Sequence, residues 1–225
     1  MLELIDKLKN FEKIEKRTLP VSKKEVSITP YKVRDQKYLS QIGEDQNHVN
    51  KILAMIAIIK NNSSVVKPEE LCLADAEFLF LQIRAISIDN TLSVSYTNEG
   101  EKISTTLLIE DIKCDIPETN KEIKVPSHQL SLKLRYPTVN DYLQNDISTE
   151  KLCSSLIQEV IIGGESYTVS RYVPEEIERF LNELPISVAT SLKEYLKNIP
   201  SLYYDFQHDG KTTRLRGFLN FFRSL

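Results

Sequence analysis

The chain has 225 residues, 41% hydrophobic and 27% charged, with a net charge of −3. A chain of this size makes one large domain or two small ones and can bury roughly 70% of its unfolded surface without disulfides or metal. An acidic chain with scattered Lys and Arg lacks the basic footprint of a nucleic-acid binder, and no apolar run nears the ~20 residues of a membrane span.

Residues 2–16 read as an amphipathic helix, with Leu4, Ile5, Leu8, Phe11 and Ile14 at helical spacing. The stretch lacks the basic start and cleavage site of a secretory signal. "RTLPVSKKEVSITPY" follows as two short strands around a polar "SKKE" turn. "KVRDQKYLSQIGED" is helical and stops at Gly43. "NHVNKILAMIAIIKNN" is an apolar helix capped by Asn47. Pro68 opens a short helical turn, and a helix over 74–87 follows, with Asp75 placed to cap it.

That helix, "ADAEFLFLQIRAIS", is unusual. Phe78, Leu79, Phe80 and Leu81 point in four directions about 100° apart. Only a narrow polar strip remains, holding Glu77 and Arg84. Such a helix needs cover on nearly every side, and its expected neighbour is the apolar run 52–59.

After Asp89 the texture is β-like. "TLSVSYTNEGEKISTTLLI" alternates around "NEG", a hairpin signal, and "LIEDIKCDI" continues it. "IPETNKEIKVPSHQ" (116–129) reads as a polar loop. "LSLKLRYP" is a half-buried strand with Leu130, Leu132, Leu134 and Tyr136 on one face. From 138 helices return: "TVNDYLQN" and "STEKLCSSLIQEV", then a hairpin through Gly163–Gly164. Pro174 opens the next helix at its first position. "SVATSLKEYLKNIP" is a further helix, and the chain closes with a hairpin around Asp209–Gly210 and an apolar terminal helix.

Helices, then an antiparallel sheet, then helices with a terminal hairpin make an α+β protein. The expected division is a leading helix over 1–17 and a domain over 18–225, helical over 31–89, β-rich over 90–137 and helical over 138–225.

Catalytic signals are sparse. His48, His128 and His208 stand far apart in polar segments, with no HExxH, CxxC or Cys/His cluster. "IIGGESY" has neither phosphate-loop spacing, and a hairpin turn is the simpler reading. Cys72, Cys114 and Cys153 read as reduced, buried small hydrophobes. Glu110 and Asp111, if extended, face opposite sides. The expectation is a non-enzyme with no metal, cofactor, nucleic acid, membrane or small-molecule substrate.

What the sequence offers instead is apolar surface. Phe218, Leu219, Phe221, Phe222 and Leu225 form an apolar patch at the chain end unless docked on the chain's own sheet. The expected partner contacts are Phe218, Phe221, Phe222 and Leu225, joined by Leu4, Leu8 and Phe11 of the leading helix.

The order of signals resembles the baseplate hub assembly protein family of T-even-type contractile-tailed bacteriophages. "LPVSKKEVSITPYKVRDQKYL" looks like its strand pair and "P-[FY]-x-V" step into a helix. "LADAEFLFLQIRAIS" is similar to the family's "D-x-E-x-L-F-L-x-[IL]-R-x-x-S" pattern at Asp75, Glu77, Leu79, Phe80, Leu81, Ile83, Arg84 and Ser87. "FLNELPISVATSLKEYLKNIPSLYYDF" with "LRGFLNFF" resembles its closing elements. The resemblance covers roughly residues 18–222. Two departures stand out: "SIDNTL" replaces the usual glycine after "R-x-x-S", and the leading helix is an extension.

The resemblance implies a late phage protein of the host cytoplasm that helps to assemble the baseplate hub through contacts with hub or tail proteins. A structural part retained in the finished virion baseplate is the alternative.

Overall fold

The computed structural model describes residues 13–43, 47–98, 101–118, 121–143, 149–208 and 211–217. Among these the chain forms six helices and eleven strands, all pairings antiparallel, as expected of an α+β protein. The strands are distributed over four small sheets. The chain divides into two compact units: the first runs to Asp115 and resumes at Ser201, and the second is Ile116–Pro200.

In the first unit, β1 (Glu15–Thr18) and β2 (Glu25–Ile28) pair around the polar turn. Residues 15 and 16 are therefore strand, where the expected leading helix would have included them. Lys23 turns the chain with φ +59°. α1 (Val33–Gly43) and α2 (His48–Asn62) follow. Asn47 caps α2, its side chain accepting from the Val49 N–H at 2.9 Å.

α3 (Leu73–Ser87) packs against α2 and against β10 (Ser201–His208). This answers the puzzle of its four consecutive apolar residues. Leu79, Phe80 and Leu81 are fully or nearly fully buried. Phe78 and Leu81 join a core made by β3 (Thr91–Asn98), β4 (Glu101–Leu108), β10 and β11 (Lys211–Arg216). Each such buried side chain contributes about 1.5–3 kcal/mol. Glu77 is itself buried, so the polar strip expected on this helix does not face water.

Asp75 does not cap α3. It is fully buried, and its carboxylate accepts from the backbone N–H groups of Val21 at 2.8 Å and Ser22 at 3.0 Å in the β1–β2 turn. Glu110 and Asp111 lie in a single 3-10 turn rather than an extended run. That turn leads to β5 (Lys113–Asp115), and the order of the three-stranded sheet is β11-β10-β5. Asp115, where the chain leaves this unit, is the register partner of Ser201, where it returns.

In the second unit, β6 (Glu122–Val125), β7 (Leu130–Leu134), β8 (Ile157–Ile162) and β9 (Glu165–Thr168) form a four-stranded meander in that order. β6 lies inside the stretch expected to be a loop, and β8 replaces the end of an expected helix. That helix, α4, is only Thr149–Ser155. Together with α5 (Pro174–Asn182) and α6 (Ile186–Lys197) it covers a core of Leu130, Leu132, Leu134, Leu156, Val160, Val188, Leu192 and Tyr195. Tyr136 stacks on Tyr195 at 6.2 Å.

Candidate partner-binding surface

The seven contact residues expected from sequence, Phe218, Phe221, Phe222, Leu225, Leu4, Leu8 and Phe11, all lie outside the described residues.

A different apolar surface is present in the second unit. Gly163 and Gly164 turn β8 into β9 with φ +57° and +89°, the type I′ geometry that matches strand twist. The two-residue loop fixes the register: Ile162 faces Glu165 and Val160 faces Tyr167. Side chains at 160, 162, 165 and 167 therefore share one face with Leu130 and Leu132 of β7. Burial falls steadily along that face. Leu132 is fully covered and Val160 is 6% exposed, but Ile162 is 42% and Tyr167 37% exposed. The core layer runs out before the sheet does.

What remains is a groove of about 310 Å³ between this hairpin and α5. Val160 and Ile177 form its buried floor; Ile162, Tyr167, Tyr172 and Phe180 form its walls. Glu176 is the charged residue of the lining, and it accepts from the Val173 N–H at 3.1 Å to start α5. The Tyr167 hydroxyl donates to Glu165 at 2.6 Å, which ties that ring to its own strand. A groove of this kind has the size and lining to accept apolar side chains.

Three buried carboxylates serve the fold. Asp75 holds the β1–β2 turn. Asp35 accepts from the Lys32 N–H at 2.9 Å and from Asn61 and Asn62. Asp141 takes a two-pronged contact from Arg135 at 2.7 and 2.9 Å and a bond from the Thr138 N–H at 2.7 Å. Burial alone would push the Asp141 carboxyl up, but the hydrogen bonds from Arg135 and Thr138 together hold it below its ordinary value.

The thiols are muted as nucleophiles. Burial pushes the Cys72 thiol up to about 11 and the Cys114 thiol up to about 12, and it also raises Cys153. All three are held protonated near neutrality. Among the described residues no three or more His, Cys, Asp or Glu side chains gather as a metal set, and no helix is long and apolar enough to cross a membrane.

Reading "IIGGESYTV" only as a hairpin does not reveal this groove, although the two-residue loop puts Ile162 and Tyr167 on the same face.

Among curated proteins and solved structures, none matches this chain. A family model described as T4 bacteriophage base plate protein matches residues 12–223, and the chain belongs to that family.

Proposed function

We propose that this member of the base plate family acts as an assembly factor of the baseplate hub, working by contact with other base plate proteins and transforming no substrate. The family match, which spans both compact units, is the observation that carries this reading.

The mechanism is passive. Apolar side chains cover an aggregation-prone face or an open strand edge of a hub subunit until the permanent neighbour arrives. The contact is assigned to Phe218, Phe221, Phe222 and Leu225, with Leu4, Leu8 and Phe11 beside them. Such an activity belongs to the host cytoplasm, where the particle is built. Thiols held protonated by burial fit a protein that does no covalent chemistry.

The alternative is a structural part that stays in the baseplate. Mass spectrometry of purified virions against infected-cell lysate separates the two. An assembly factor is abundant in the lysate and absent from particles; a fixed stoichiometry in particles overturns the assembly-factor reading.

A further inference from the structure

We infer that the free edge of β9 is a docking site for an extended, basic and apolar segment of a partner protein, added to the sheet as a fifth strand. The inference takes contact with another chain as the activity and adds a site separate from the terminal residues.

Three observations converge on it. The first is hydrogen-bonding capacity. β9 ends the order β6-β7-β8-β9. The two-residue loop makes Ile162–Glu165 a hydrogen-bonded pair, so Glu165 and Tyr167 bond inward to β8. The backbone groups of Ser166 and Thr168 then point outward. Among the described residues no other strand pairs with β9 on that side, while the Thr168 carbonyl opens the 3-10 turn over 169–171, so the outward groups left for a partner are those of Ser166 and the Thr168 N–H. All four β9 residues are exposed, with no proline, lysine or bulge to blunt the edge.

The second is the groove. A strand laid along β9 places every second side chain on the face of Ile162 and Tyr167, over the uncovered end of the core. Apolar residues at alternate positions would fill it.

The third is charge. Glu165 of β9 shares the face of Ile162 and Tyr167, and Glu176 is the charged residue of the groove lining. The rim beside β9 is acidic there. Two copies pairing β9 to β9 would bring these rims together, which disfavours self-association. A segment carrying lysines or arginines beside its apolar residues complements the rim.

The test uses the full chain and a labelled (Lys-Val)4 peptide, with (Glu-Val)4 as the charge-reversed control. Fluorescence anisotropy reads binding, and amide hydrogen exchange reads Ser166 and Thr168. Thr168 has φ −76°, close to the angle proline requires, and its N–H points outward. Thr168→Pro therefore removes one docking donor while leaving the hairpin paired. The (Lys-Val)4 peptide is expected to bind, to slow exchange at both amides, and to bind about tenfold more weakly to Thr168→Pro. Glu165→Lys is expected to weaken it comparably and keeps the test open if the proline variant misfolds. Equal affinity for (Glu-Val)4, unchanged binding by a folded Thr168→Pro, no binding at all, or protection of these amides by self-association overturns the inference. Base plate partners captured through the chain end, with no peptide bound at β9, would overturn this docking site and leave the proposed function standing.

Discussion

The carboxylate of Asp75 on α3 accepts the backbone N–H of Val21 at 2.8 Å, tying the helix to a turn 54 positions earlier in the chain. Ser22 donates to the other oxygen at 3.0 Å. One fully buried side chain thus accepts two N–H groups of the β1–β2 turn. Asp75→Ala is expected to cost about 1–3 kcal/mol for those donors. Asp75→Asn keeps one acceptor oxygen and should cost less. Urea unfolding checks both, and values within about 0.5 kcal/mol of the parent would contradict the assignment.

Phe80 is 1% exposed and Ile186 is 83% exposed, although both are large apolar residues on helices. Phe80→Ala should destabilise by about 3–5 kcal/mol. Ile186→Ala should stay within about 0.5 kcal/mol. The comparison asks whether the four-way apolar run of α3 is core; equal effects would say that it is not.

Much of the fold was legible because its signals are local. Asn47 marks the start of α2, Pro174 the start of α5, and the Gly163–Gly164 pair the β8–β9 turn. The long-range features were not legible. Asp75 stands in the first turn of α3, behind the N-cap Cys72, and only the tertiary fold shows that its carboxylate goes to another element. β8 reads as helix from sequence because "LIQEV" satisfies both periods over so short a run. β6 hid in a polar stretch because a short edge strand needs little apolar content. The division into two units depends on Asp115 pairing with Ser201, which no local pattern encodes. The candidate groove depends on where a core layer stops being covered, and that is set by the helices around it.

Asp141 makes an acid-side prediction. Its folded carboxyl lies below the ordinary value of 3.8, so the unfolded chain takes up the proton first. The stability it contributes is complete above that value and is lost as the pH falls through and below it. Asp141→Asn should therefore be less stable than the parent at neutral pH and should show a flatter decline on acidification. Urea midpoints measured from pH 6 down to pH 2 test this; parallel curves would contradict it.

The thiols make a kinetic prediction. With Cys72 pushed up to about 11 and Cys114 to about 12 by burial, little thiolate exists at pH 7.5. Iodoacetamide should label the native protein at least about tenfold more slowly than the urea-unfolded chain. Fast labelling of Cys114 in the folded state would contradict this.

The proposed function rests on contact between Phe218, Phe221, Phe222 and Leu225 and a base plate protein. The most direct measurement is capture from infected cells with the parent chain and with a Phe221→Ser, Phe222→Ser double variant, alongside thermal unfolding of each. The account predicts that the parent retains a base plate component and that the variant loses it with its melting temperature unchanged. A variant whose stability collapses, while its remaining folded fraction captures the component as before, would contradict it.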